Sequence, residues 1–221
     1  MFEKENNVKG NKKTIIIAII VAVVVLAIAG VAIISMNKNN ETQIGQDKTI
    51  KLYNELTKKE KYNFNTFLNE ENKLYYSKDK DTAYVDTIYE GEESKFVVKD
   101  GNSYLLDDED KVYYTYKNNE MDLKKIERQL EEVKDLEYIA GKEKIDNKEY
   151  KYEEYAITTE FLFKYFENAE AINGKTRFYY DGDKLVYIKT MVGNYEELLK
   201  VDISYNVNSK LFEIPADYKE A

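Results

Sequence analysis

The sequence predicts an α+β protein: one curved antiparallel sheet of about eleven short strands wrapped around helices, preceded by a single membrane-spanning helix. Three observations predict it. Most of the chain alternates apolar and polar residues with a period of two, in short runs separated by turn residues. That alternation is broken by an amphipathic stripe at helical period, Leu123, Ile126, Leu130 and Val133. Residues 15–34, IIIAIIVAVVVLAIAGVAII, form an unbroken apolar run in a chain whose mean hydropathy is −0.65.

The apolar run comes first. As a helix its 20 residues would be about 30 Å long, the thickness of a bilayer's hydrocarbon core. Before it stand Lys4, Lys9, Lys12 and Lys13 against Glu3 and Glu5, and the excess of Lys predicts a cytoplasmic amino terminus. A cleavable signal peptide is the competing reading, because Ala27-Ile28-Ala29 has the small-x-small pattern a peptidase reads. The run is longer than a signal-peptide core, and cleavage there would leave Val31-Ala32-Ile33-Ile34 exposed, so the anchor is the preferred reading. The resulting domains are a cytoplasmic tail (1–13), a transmembrane helix (14–35), a polar tether (36–46) and an extracytoplasmic domain (47–221).

Composition narrows the function classes. The tail carries four Lys against two Glu and the span none, so the chain's −9 becomes −11 for the external part. An acidic exterior argues against nucleic acid as a partner. With no Cys and no His there is no disulfide, no Ser-His-Asp triad, no thiol nucleophile and no zinc site of the usual ligands. None of the Ser sits in a G-x-S-x-G elbow, so the expectation is a non-catalytic protein without cofactor or metal. The acidic run Asp107-Asp108-Glu109-Asp110 lacks the spacing of a calcium loop and reads as a solvated turn. Asn40-Glu41-Thr42 matches a glycosylation acceptor in pattern alone.

The external elements follow in order. Asp47 reads as an N-cap, and Ile50, Tyr53 and Leu56 share one face of a helix of about three turns. From Lys61, Tyr62, Phe64, Thr66 and Leu68 alternate with Asn63, Asn65, Phe67 and Asn69. Strands follow at 73–78, 82–89, 94–99, 103–106 and 111–116, with Glu90-Gly91 and Asp100-Gly101-Asn102 between them as turns. The amphipathic helix spans 121–136. Strands resume near 138–144 and 150–158, with Asp146-Asn147 at the turn, and 159–171 is read as a helix. Residues 177–188 form a hairpin turning at Asp181-Gly182, and a last strand runs near 199–205. A closed barrel or two-sheet sandwich would leave the stripe at 123–133 without a partner.

Three motifs, in this order, resemble the bacterial lipoprotein-carrier (LolA-like) superfamily. They are Lys99-Asp100-Gly101-Asn102-Ser103-Tyr104-Leu105-Leu106 with Lys111-Val112-Tyr113-Tyr114, then Arg177-Phe178-Tyr179-Tyr180-Asp181-Gly182-Asp183-Lys184-Leu185, and the closing Leu211-Phe212-Glu213-Ile214-Pro215-Ala216-Asp217-Tyr218. The resemblance implies a half-barrel closed by helices over an apolar cavity, and as partners a lipid, an acyl chain or a lipoprotein. Shuttling is not carried over, because a shuttle must be soluble and this chain reads as integral to the membrane by a single pass.

All 21 Tyr follow the span. They suit either a half-buried sheet or a cavity or sugar-stacking surface. If the sheet encloses a cavity, Phe64, Leu68, Tyr114, Phe178, Ile188 and Ile203 line it, each on the apolar phase of its strand. Three functions stand open. One is a tethered sensor or acceptor of an apolar ligand or lipidated partner, another a cell-surface interaction module with a filled core, and the third a hydrolase.

Overall fold

The computed structural model describes residues 48–117, 138–157, 174–192 and 194–221. The expected tail, span and tether, the Asp47 cap and the helices at 121–136 and 159–171 lie outside these residues. Among those described, no helix is long and apolar enough to cross a membrane.

Helix α1 (Lys48–Lys59) leads into β1 (Lys61–Phe67), β2 (Lys73–Asp79), β3 (Thr82–Tyr89), β4 (Glu92–Lys99), β5 (Asn102–Asp107) and β6 (Val112–Lys117). A second run follows: β7 (Ile139–Ile145), β8 (Lys148–Ile157), β9 (Gly174–Asp181), β10 (Lys184–Val192) and β11 (Tyr195–Ser204). A 3-10 helix η1 (Ser209–Phe212) and the short β12 (Lys219–Glu220) close the chain. Among the described residues all 12 strands form one open sheet in the order β12-β6-β5-β4-β3-β2-β1-β11-β10-β9-β8-β7. Every pairing is antiparallel except β12 on β6. This large, curved, unclosed sheet with a helix against it fits a half-barrel.

Two meanders meet in the middle. β1 to β6 step outward in one direction, and β7 to β11 step inward from the opposite edge until β11 pairs with β1, Phe64 opposite Ile203 and Thr66 opposite Val201. Turn chemistry fixes the registers. Glu90-Gly91, Asp100-Gly101 and Asp146-Asn147 each place both central residues at positive φ, as a type I′ hairpin requires. The β9–β10 hairpin differs from the sequence expectation by one residue. Asp181 pairs with Lys184, so the loop is Gly182-Asp183, with Gly182 at φ 62° in its first position.

Burial separates the two faces. β1 alternates strictly, with Tyr62, Phe64 and Thr66 buried, and the same phase continues through Leu74 and Tyr76, Val85, Phe96 and Leu105. On the other side it runs through Leu199 and Val201, Ile188, Phe178 and Tyr155. These side chains form one cluster on the concave face, joined by Leu56 of α1 and packed against by Ile50 and Leu52. At about 25 cal/mol per Å², this shared apolar surface is the main stabilising term of the domain.

The chain beyond β11 crosses the convex face. Asn63 donates to Ser204 Oγ at 2.8 Å and to the Asn206 carbonyl at 3.0 Å, and accepts from Ser77 Oγ at 2.8 Å. Helix η1 then lies against β3 and β4, which accounts for the complete burial of Val97 on the convex phase of β4. Finally Lys219 N–H donates to Lys111 O and Ala221 N–H to Tyr113 O, both at 3.0 Å, covering part of the β6 edge.

Candidate functional site

Four neighbouring strands, β3, β2, β1 and β11, end together at the pole of the concave face away from the α1–β1 junction. A pocket of about 320 Å³ opens there. Its floor is Thr66, Leu74, Thr87 and Leu199, all buried, and its mouth is formed by Leu68 and Tyr195, 43% and 56% exposed. Asn72, Lys73, Glu90 and Glu197 supply a polar rim. The sheet registers bring these residues together: Leu74 stands between Thr66 and Thr87 across adjacent strands.

The mouth is preformed. Leu68 N–H donates to the Asn72 carbonyl at 3.0 Å, and Glu90 N–H to Asn72 Oδ1 at 3.2 Å. Those bonds tie the 68–72 loop to the Glu90-Gly91 turn. Lys73 is held by Glu70 at 3.0 Å. Tyr195 donates to Glu197 Oε2, and that bond, with burial, pushes the phenol up to about 12. One polar atom in the floor is unsatisfied. Thr87 is 1% exposed and its Oγ1 has no hydrogen-bond partner among the described residues. An apolar pocket with a few fixed polar groups is the usual form of a small-ligand site, and about 300 Å³ is the lower end of the usual range.

The residues expected to line a cavity divide between core, pocket and surface. Phe64, Phe178 and Ile188 are 3%, 3% and 0% exposed, members of the packed cluster, and Ile203 packs against it. Leu68 lines the pocket. Tyr114 has the concave phase, opposite Leu105, but is 40% exposed near the β6 edge. Sequence reasoning missed Leu74, Thr87, Tyr89, Tyr195 and Leu199. Leu74 and Leu199 carry the same apolar phase as the residues named, and the missing signal was that their strand ends coincide in space.

At the other pole of the concave face lies a polar knot. Glu153, on the concave phase of β8 and 5% exposed, accepts from the N–H groups of Lys48 and Thr49 at 2.7 and 2.9 Å and from Thr49 Oγ1 at 2.7 Å. It caps α1 from a strand more than one hundred residues away, satisfying donors that no helical bond can reach. Tyr180 shares a hydrogen bond with Thr49 Oγ1 at 2.8 Å, and burial holds its phenol far above the usual range. Lys48 Nζ pairs with Asp183 at 2.9 Å, fastening α1 to the β9–β10 turn.

Among the described residues no group of three or more acidic side chains is placed to hold a metal ion.

No family model and no curated protein matches the chain. Solved structures similar to it include two from mycobacteria. One is the lipoprotein LppX of Mycobacterium tuberculosis, 14% identical, with a TM-score of 0.44, covering 74% of this chain and 99% of its own. The other is LprF from Mycobacterium bovis, 9% identical, with a TM-score of 0.46, covering 77% of this chain and 96% of its own.

Proposed function

We propose that this is a single-pass membrane protein whose extracytoplasmic half-barrel binds an apolar ligand or a lipidated partner, as a tethered sensor or acceptor without catalysis. The observation that carries the reading is the pocket at the end of β1, β2, β3 and β11, mainly apolar in its lining, open to solvent and held in shape by its own loop hydrogen bonds. The apolar run at 15–34 supports the anchor, and the excess of Lys before it supports an external domain. With the span fixed in the bilayer, a ligand drawn from that membrane has only the tether's length to cover.

A photoactivatable fatty acid, added to membranes containing the full chain, tests the ligand. After irradiation and digestion, adducts are expected on peptides carrying Leu68–Leu74 and Tyr195–Leu199, and Leu68→Asp at the exposed mouth should abolish them. Labelling confined to residues 15–34, or unchanged in Leu68→Asp, would sink the reading. Because the chain has no Cys, a single one introduced at Asp110 reports topology. Its reaction with an impermeant maleimide on intact cells is expected; protection until lysis would place the domain inside.

A further inference from the structure

We propose that the convex face carries a second, separate site, an aromatic-walled trough that takes a pyranose glycan. Its residues are Phe67 on β1, Lys200, Val201 and Asp202 on β11, Lys184, Val186 and Tyr187 on β10, and Tyr150 on β8. They surround a depression of about 460 Å³. The concave pocket shares none of its residues, and the inference does not depend on the lipid reading.

Three features set the trough apart from an ordinary wet sheet face. The first is its walls. Phe67 packs edge-to-face with Tyr75 at 5.6 Å, and Tyr150 with Tyr187 at 5.4 Å, so a rigid aromatic pair stands on each side. Phe67 and Tyr187 both neighbour Lys200, from the strands on either side of β11. Two strand spacings separate them, about 9.6 Å at 4.8 Å each, close to the length of a disaccharide.

The second is its floor. Lys184 pairs with Asp202 at 3.1 Å, while exposed Lys200 makes no ion pair among the described residues. Cationic donors and a carboxylate acceptor therefore lie between two apolar walls. A pyranose ring has the matching chemistry: C–H faces that stack on aromatic rings and a hydroxyl edge that both donates and accepts.

The third is a backbone irregularity at this spot. Leu185 pairs with Tyr180 but Tyr187 with Tyr179, so Val186 is an extra residue in β10. A shift of one residue moves side chains to the opposite face of a strand. Leu185 lies in the concave cluster, and regular alternation would send Tyr187 there too. The bulge instead delivers Tyr187 to the convex face beside Lys200. Bulges that re-aim a side chain are over-represented beside active sites as well as at sheet edges and barrel rims.

Saturation-transfer NMR on the full chain in lipid nanodiscs tests the site, with cellotetraose, chitotetraose and maltotetraose as probes. Transfer to the ring protons of at least one glycan is expected. Loss of a stacked ring in Tyr187→Ala should weaken it about tenfold, and Lys200→Ala should weaken it with no change in melting temperature. Tyr114→Ala, on the other face, should leave it unchanged. Since Tyr187→Ala could disturb the sheet, Lys200→Ala is the deciding variant, its side chain being exposed. Absence of transfer to all three glycans, or transfer of wild-type strength in Lys200→Ala, overturns the proposal.

Discussion

Glu153 and Thr49 are joined twice: one carboxylate oxygen accepts from the Thr49 backbone at 2.9 Å and from its hydroxyl at 2.7 Å. The other oxygen takes the Lys48 N–H. The first turn of α1 is thus finished by a strand residue, and the negative charge sits at the positive end of the helix dipole. Glu153→Ala should cost about 2 kcal/mol, the upper range for a cap, because it also removes the acceptor of the buried Tyr155 hydroxyl. Glu153→Gln keeps an acceptor but loses the charge and should cost about half as much. Amide exchange along α1 would show the loss locally; equal protection in all three proteins would disprove the cap's role.

A charge network on the convex face predicts the acid response. Arg177 bonds Glu154 and Glu143, each at 2.6 Å, and lies over the Tyr152 ring at 4.5 Å, while Lys175 reaches Glu154 at 2.8 Å. Burial opposes the charge on both carboxylates. For Glu154 the bonds from Lys175 and Arg177 outweigh it, and for Glu143 those from Tyr179 and Arg177 do. Both therefore titrate below the ordinary glutamate value of 4.5. A group whose native pKa is depressed contributes stability in full above its unfolded value and loses it as pH falls through the native one. Stability should hold above about pH 5 and decline below 4.5. Arg177→Leu should lower the plateau by about 2 kcal/mol, short of the about 3–5 kcal/mol for a stranded buried charge, because Lys175 still pairs. The variant should also flatten the decline. Urea titrations from pH 3 to 7 would reveal either effect, and parallel curves for the two proteins would refute the assignment.

Two buried hydroxyls, Thr87 and Thr176, lack partners among the described residues, at 1% and 0% exposure. Each leaves a desolvated polar group, so Thr→Val at either position should stabilise by about 1 kcal/mol. In a domain of this size that raises the melting midpoint by about 2–4 °C. Thr87 borders the pocket floor and Thr176 does not, so the pair also probes the ligand. Weaker fatty-acid labelling in Thr87→Val alone would mean that its hydroxyl meets a polar group of the ligand. A lower midpoint in both variants would mean that the hydroxyls are satisfied in solution.

How much of this was legible in the sequence follows from which interactions are local. The phase of Tyr62, Phe64 and Thr66 and the turns at Glu90-Gly91, Asp100-Gly101-Asn102 and Asp146-Asn147 are written within a few residues, and they were readable. The pairing of β11 with β1 joins segments far apart in sequence, and no alternation announces it. The concave pocket depends on that pairing, since Leu199 and Tyr195 reach Thr66 and Leu68 only through it. The bulge at Val186 was equally silent, and it decides which face Tyr187 occupies. Glu153 left a faint trace as a charge on the apolar phase of its strand. Its meaning required the helix end to be in place.

Gly141, on the edge strand β7, predicts an effect of pure sterics. It faces Tyr152 across the β7–β8 ladder, and a Cβ there would come within 2.4 Å of the ring's Cζ and hydroxyl. No special backbone angle is involved, since Gly141 is absent from the positive-φ positions among the described residues. Space alone demands the glycine. Tyr152 is not free to swing away, being packed on Tyr179 at 5.6 Å and under Arg177. Gly141→Ala should therefore cost about 2 kcal/mol by overpacking, although Ala is ordinarily the better strand residue. Adding Tyr152→Leu, which removes the ring, should recover part of that loss despite being destabilising alone. The double-mutant cycle then gives a favourable coupling of about 1 kcal/mol or more. Strict additivity of the two changes would show that the ring does not lie over Gly141.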